Sequence, residues 1–292
     1  MTTVAFIGLG AMGAPMASNL IDAGFALRVY NRNAGKAAAL AEKGATVCGS
    51  PAEAVQGAQF VVSMVADDNA TREVMLGANG VMSAAAAGTI IVDSSTNTPA
   101  MAREVAAAAK ARGAAYLDSP VSGSIAQARG RELVFMVGGD AAAFDKTQPL
   151  YKAMGRMTTR MGESGAGATI KLINNMLSGT VNTAIAEAMS VAEAAGLDPD
   201  ATFAVLNEGA AASRLTRTKM EKIRKRDFSP QFQLALMEKD LRYFLALAQE
   251  VDRPTPLASI VRSQMQAARR SDYGGLDVAA IFLQVTGERP KA

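Results

Sequence analysis

A lysine stands in the run Gly165-Ala-Gly-Ala-Thr-Ile-Lys171-Leu-Ile-Asn-Asn175, in a chain of 292 residues that contains no histidine. Histidine is the usual proton carrier near neutral pH, so any proton transfer here falls to another side chain. Lys171 is the best candidate for a general acid and base, with Asn175 one helical turn later on the same face. Two other runs carry chemistry. Gly8-Leu9-Gly10-Ala11-Met12-Gly13 is a glycine turn of the kind that receives a dinucleotide. Asp118-Ser-Pro-Val-Ser122-Gly123-Ser124 offers two hydroxyls and several backbone N–H groups in one small turn, which suits a carboxylate. A nucleotide site and a proton-donating lysine in one chain point to dehydrogenase or reductase chemistry.

The elements around the glycine turn are what make it specific. Val4 to Ile7 reads as a buried strand, Met12 to Ala23 as a helix with Gly24 as its C-cap, and Ala26 to Tyr30 as a second strand. In that frame the three glycines give a tight turn, room for a pyrophosphate, and close helix–strand packing. The helix N-terminus adds free N–H groups and a partial positive charge. The second strand ends in Tyr30-Asn31-Arg32-Asn33, with Lys36 a turn later. NAD sites usually carry an acid here for the ribose hydroxyls. An asparagine and a guanidinium suit a ribose 2′-phosphate instead, so NADP(H) is the expected cofactor. The alternative is that Arg32 is a plain surface charge and NAD(H) binds as well.

Alternation of short apolar runs with amphipathic helices continues through the first half. Ala34 to Lys43 reads as a helix ended by Gly44. Phe60 to Met64 and Thr89 to Val92 read as strands. Pro99 opens an alanine-rich helix to Arg112, and Ala115 to Asp118 and Leu133 to Val137 follow as strands. Met64 and Val65 fall at the end of their strand and are assigned to the cofactor cleft; Asp67 or Asp68 then reads as a helix N-cap. The pattern is that of an α/β Rossmann-type domain with a mostly parallel sheet and helices on both faces. It changes near Gly162. A single helical run from Ala166 to Ala195 leads into further helices. The sequence therefore predicts a cofactor domain over residues 1–162 and an all-helical domain over 163–292, joined by the long helix.

Composition narrows the classes further. Hydrophobic residues make up 49% and charged residues 20%, which is globular. Tryptophan is absent and aromatics are 5%, which argues against stacking platforms for nucleic-acid bases. The net charge is +3, and the densest basic run, Arg214 to Arg226, includes Glu221 and reads as a solvated helix face; no nucleic-acid partner is expected. Cys48 is the sole cysteine, which excludes an intrachain disulfide, and with no histidine a metal site is not expected. No apolar run reaches membrane length, and Met1 leads directly into a strand without a leader pattern, so the expected location is cytoplasmic. The sixteen methionines read as pliable core packing.

Taken in chain order, five segments form a combination: Gly8–Gly13, Ser94-Ser-Thr96, Asp118–Ser124, Gly165–Asn175, and Lys239-Asp240-Leu-Arg-Tyr-Phe-Leu-Ala246. This combination resembles the β-hydroxyacid dehydrogenase family, which includes 3-hydroxyisobutyrate dehydrogenases, tartronate semialdehyde reductases and glyoxylate/succinic semialdehyde reductases. The resemblance spans essentially the whole chain. It implies a Rossmann domain followed by a helical domain, with assembly as a homodimer or homotetramer. It implies that Lys171 is the catalytic lysine and that Asn175 helps hold the substrate. Ser122, Gly123 and Ser124 would bind a substrate carboxylate, Thr96 would lie near the nicotinamide, and Lys239 would sit where cofactor and substrate meet. The substrate would be a short hydroxy acid or carboxylated aldehyde. Many members have Ser-Gly-Gly where this chain has Ser122-Gly123-Ser124. Protonated Lys171 would supply a proton and a positive charge to a developing alkoxide; in the oxidative direction Lys239 is the cation that would depress its pKa. Two rivals share the architecture: imine reductases, which usually lack this lysine, and non-catalytic scaffold proteins, which typically lose it.

Overall fold

A computed structural model describes residues 1–289. The chain divides into two compact units, Met1–Lys171 and the residues from Leu172 onward. The boundary falls inside the long helix, Ala166–Ala194, nine residues beyond the division expected at 162.

The first unit is built on one nine-stranded sheet. Its strands are β1 (Thr3–Ile7), β2 (Ala26–Tyr30), β3 (Thr46–Val47), β4 (Phe60–Ser63), β5 (Ile90–Asp93), β6 (Ala115–Asp118), β7 (Val121–Ser122), β8 (Leu133–Gly139) and β9 (Gly155–Gly162). The spatial order is β3-β2-β1-β4-β5-β6-β8-β7, with β9 on β8. Strands β1 to β6 pair in parallel, which their helical crossover connections allow. β6 and β7 both pair antiparallel with β8, in one continuous register interrupted by Ser119 and Pro120.

Side chains of β1 alternate between two cores. Val4 and Phe6 pack on one face with Met16, Leu20, Val29, Val62 and Val92. Ala5 and Ile7 pack on the other with Val55, Val61, Met75, Ile91 and Val105. Burial on both faces is why these strands read as unbroken apolar runs. β3, β7 and β9 carry no such run. β9 lies at an edge, with Met157 and Met161 exposed, and is held by its ladder to β8 rather than by apolar periodicity.

The second unit is helical. Apart from the rest of the long helix it comprises Pro199–Glu208, Arg214–Lys225, Leu234–Glu250, Pro256–Arg270 and the short Ile281–Thr286. Its core gathers Ile185, Met189, Met220, Ile223, Met237, Leu241, Met265 and Phe282. The basic helix Arg214–Lys225 is solvated on one face only, where Arg214, Arg217 and Lys225 are exposed. Lys219 and Lys222 are buried. Lys219 Nζ donates to Asp277 Oδ1 at 2.7 Å, and Lys222 Nζ donates to the Ser229 carbonyl at 2.7 Å. Asp277 also accepts from the N–H groups of Gln231, Phe232 and Ala279. Burial lowers the Lys219 pKa and the Asp277 carboxylate opposes it. Lys222 fastens the helix to the loop that follows it and Lys219 fastens it to Asp277, and helical spacing brings both lysines onto one face. Among the described residues no helix is long and apolar enough to cross a membrane.

Candidate active site

The parallel strands β1, β4, β5 and β6 all deliver their C-terminal ends to one edge of the sheet. Chain order reverses between β1 and β4, and such a switch point opens a crevice for a ligand. The glycine turn leaves β1 there. Gly8 has φ +95°, and a Cβ on it would lie 2.4 Å from the Met64 carbonyl oxygen. A Cβ on Gly13 would lie 2.0 Å from the Gly8 oxygen. The protein's own packing therefore explains these two glycines. It does not explain Gly10, whose Cβ would meet nothing within 4 Å. The space left bare at Gly10, beside the start of the helix Gly13–Asp22, fits the pyrophosphate of a dinucleotide.

The neighbours of this turn are arranged around it. Leu9 is buried in the core, Met12 packs against it, and Ala11 is exposed. The Leu9 N–H donates to Asn31 Oδ1 at 2.9 Å, and Asn31 Nδ2 donates to the Asn33 carbonyl at 2.8 Å. Asn31 thus braces the glycine turn from the end of β2. Arg32 and Lys36 are exposed beyond it. The Met64 N–H donates to the Ile7 carbonyl, and the Val65 N–H donates to Ser95 Oγ at 2.9 Å. Asp67 caps the next helix by accepting from the Ala70 N–H.

β5 ends on a buried carboxylate. Asp93 Oδ1 accepts from Ser63 Oγ at 2.8 Å and from the Ser95 N–H at 3.0 Å. Its Oδ2 accepts from Asn97 Nδ2 at 2.8 Å and from the Tyr116 hydroxyl at 2.9 Å. Asn97 Oδ1 accepts in turn from Thr71 Oγ1. Four neutral donors spread the charge of a group that is 1% exposed. They also fix the turn that carries Thr96, which is half-buried. Burial, with Asp93 beside it, pushes the Tyr116 phenol well above its ordinary value.

β6 ends on a second buried carboxylate. Asp118 Oδ1 accepts from the Gly165 N–H at 2.8 Å, and Oδ2 accepts from the Ala168 N–H at 2.9 Å. These are N–H groups at the start of the helix that carries Lys171, which is 8% exposed. Ser122 ends β7. Gly123 has φ +142°, and a Cβ there would press on Leu133 at 2.8 Å. The N–H and hydroxyl of Ser124 both donate to Gln127 Oε1, at 2.9 and 2.5 Å. Ser124 thereby opens the short helix Ile125–Arg129, and its donors are engaged within that turn.

Further along the long helix, Asn175 is buried. Asn175 Nδ2 donates to Asp240 Oδ2 at 2.6 Å, and Asn175 Oδ1 accepts from Asn174 Nδ2 at 3.0 Å. The other oxygen of Asp240 lies 3.1 Å from Lys239 Nζ, which also stands 5.0 Å from the centre of the Tyr243 ring. Asp240 joins two residues that the sequence singled out separately. Sequence reasoning assigned no role to Asp93 or Asp118, although each is a charged residue closing an apolar strand. A buried acid at the end of such a strand must find donors, and that was the available signal.

Two family models cover the chain. Residues 3–162 match the NAD binding domain of 6-phosphogluconate dehydrogenase, and residues 165–284 match the NAD-binding domain of NADP-dependent 3-hydroxyisobutyrate dehydrogenase. A 3-sulfolactaldehyde reductase of Escherichia coli is 36% identical over 98% of this chain and 96% of its own length. The chain belongs to the β-hydroxyacid dehydrogenase family. A 3-hydroxyisobutyrate dehydrogenase of Pseudomonas aeruginosa is 35% identical, with 96% of this chain and 97% of that protein covered. The solved structure of a Mycobacterium tuberculosis 3-hydroxyisobutyrate dehydrogenase with L-serine superimposes with a TM-score of 0.88 at 34% identity, covering 98% of this chain and 99% of that one. As a β-hydroxyacid dehydrogenase the protein is an oxidoreductase that uses a nicotinamide dinucleotide, with a Rossmann domain followed by helices.

Proposed function

We propose that this enzyme interconverts a short carboxylated aldehyde and its β-hydroxy acid, with NADP(H) preferred over NAD(H) and Lys171 as the general acid and base. The observation that carries this reading is the seating of the Lys171 helix. Its first turn is held by Asp118, at the end of β6, on the same sheet edge as the bare glycine turn. When bound, the nicotinamide supplies or accepts the hydride. Gly8 to Gly13, with Met64 and Val65, form the cradle for the dinucleotide, and Asn31 holds the turn in shape. Arg32 and Lys36 are the groups that would meet a ribose 2′-phosphate. Thr96, held by the Asp93 network, belongs beside the nicotinamide.

In the reductive direction, Lys171 Nζ gives its proton to the oxygen that becomes the hydroxyl, and its charge stabilises that oxygen as it gains electrons. In the oxidative direction Lys171 takes the proton back. Asn175, with its amide fixed by Asp240, orients the substrate without adding charge. Ser122 and Gly123 offer the carboxylate anchor, and Ser124 joins it once Gln127 yields its hydrogen bonds. Lys239 serves the region where cofactor and substrate meet. The helical residues carry the remaining substrate contacts and the contacts of a homodimer or homotetramer.

The test is NADPH and NADH oxidation against methylmalonate, tartronate and succinate semialdehydes and glyoxylate. Turnover of one of them, faster with NADPH, is expected. Faster reduction of a cyclic imine than of every acid would favour an imine reductase instead. Tight NADPH binding with no turnover of any compound would favour a non-catalytic scaffold.

A further inference from the structure

The helix that carries Lys171 has no cap of its own. Its first residue, Ala166, follows Gly165, which has φ +97° and no side chain. A helix start leaves N–H groups without partners, and a side-chain oxygen of the preceding residue usually meets one of them. Here the oxygens come from Asp118, forty-seven residues earlier, at the end of β6. Both are used, one on the Gly165 N–H and one on the Ala168 N–H.

The backbone around this carboxylate is shaped to admit it. A Cβ on Gly138 would lie 2.7 Å from both Asp118 oxygens. A Cβ on Gly167 would lie 2.4 Å from the carbonyl oxygens of Asp118 and Met136. Glycine at 138 leaves room for the carboxylate, and glycine at 167 lets the helix approach the strands. Lys171 is one turn beyond Gly167 on the same face. Any lift or tilt of the first turn therefore moves Lys171.

We propose that Asp118 is a positioning residue for Lys171: its carboxylate clasps the first turn of the long helix to the end of β6 and so sets where the lysine stands over the sheet edge. This rests on the reading of Lys171 as the proton donor. The carboxylate form is the better clasp, because a protonated carboxyl keeps only one strong acceptor. Burial raises the Asp118 pKa to about 6 despite its backbone hydrogen bonds. The ionisable groups around it are Asp93 and Tyr116 on the neighbouring strand and on its own, and Tyr151 on the helix Gln148–Met154. Arg103 approaches Gly165, and the Glu163 backbone borders Gly138. Asp118 is the group among these whose ionisation directly changes the clasp.

The experiment compares wild type, Asp118→Asn, Gly167→Ala and Lys171→Ala. It reads kcat and KM from pH 5 to 8, NADPH affinity by fluorescence, and amide exchange over residues 165–171. In Asp118→Asn an N–H group must face one of the two helix donors. Its kcat should fall by about ten-fold or more while NADPH affinity is kept. Amide exchange over the first turn should quicken. Wild-type kcat should fall below about pH 6, and that fall should be absent in Asp118→Asn. Gly167→Ala disturbs the same seat with Asp118 intact, and should lower kcat while keeping the acid limb. Wild-type kcat that is flat down to pH 5 overturns the proposal, even if Asp118→Asn does not fold. So does Asp118→Asn with wild-type kcat and wild-type exchange. Lys171→Ala separates the two readings. If it retains turnover, the role of Lys171 fails; if it loses turnover while Asp118→Asn does not, the clasp alone fails.

Discussion

Asp93 and Asp118 are register partners at the C-terminal ends of the adjacent parallel strands β5 and β6. Both are buried, and each organises a different part of the site. Asp93 gathers Ser63, Ser95, Asn97 and Tyr116 and so shapes the turn that carries Thr96. Asp118 gathers the first turn of the Lys171 helix. Two like charges side by side in a sheet are costly unless donors surround them, and here donors supply both.

The cost of burying Asp118 should be visible in stability. Its carboxyl is raised to about 6, by burial first and by Asp93 in lesser part. Relative to the unfolded chain, the folded protein then holds an extra proton between about pH 4 and 6. Stability associated with this group is full below that range and is lost as pH rises through it. Asp118→Asn does not titrate. Its stability relative to wild type should therefore improve by roughly 3 kcal/mol between about pH 4 and 7, measured by urea unfolding. A difference independent of pH would show that Asp118 is not raised.

Gly8→Ala and Gly10→Ala should fail in different ways. A methyl at Gly8 meets the Met64 carbonyl and requires φ +95°, so the folded state should lose ~2 kcal/mol or more. A methyl at Gly10 meets no protein atom within 4 Å. Its melting temperature should stay near that of wild type, while NADPH affinity drops by about ten-fold or more. Calorimetry and fluorescence titration check the two halves. Full NADPH affinity in Gly10→Ala would remove the pyrophosphate from that place.

Much of this was legible in the sequence because it rests on burial and on backbone geometry. Strands β1 and β6 bury apolar side chains on both faces, and β2 alternates buried Leu27 and Val29 with half-buried neighbours; Gly8, Gly24 and Gly44 mark the turns near β1, β2 and β3 at positive φ. The long helix was legible for the same reason, as a sustained helical run. β9 was not, since an exposed edge strand needs only a partner to bond with. The basic helix misled because charge counts do not say where a lysine points: Lys219 lies against Asp277, which is distant in sequence. The Asn175–Asp240 bond was hidden in the same way, since it joins two helices.

Arg32→Ala should change cofactor choice. Loss of a charge-assisted contact to a 2′-phosphate costs about 1.5–3 kcal/mol, which is roughly ten- to a hundred-fold in affinity. The Kd for NADPH should rise by that factor while the Kd for NADH stays constant. Equal change for both cofactors would mean that Arg32 reads no phosphate.

Asp240→Ala should weaken the helical unit. It leaves the buried Asn175 amide without its acceptor and Lys239 without its nearby carboxylate. The expected loss is about 3 kcal/mol in urea unfolding, with Asp240→Asn recovering part of it because one acceptor oxygen remains. No loss in Asp240→Ala would mean that the carboxylate contributes nothing to holding Asn175.

The proposed mechanism stands on Lys171 moving the proton. Its most direct test is the rate of NADPH oxidation by Lys171→Ala at saturating substrate, beside NADPH affinity measured on the same preparation. The rate should be lower by about 10³-fold, with cofactor affinity unchanged. A rate near that of wild type, with the cofactor still bound, would contradict it.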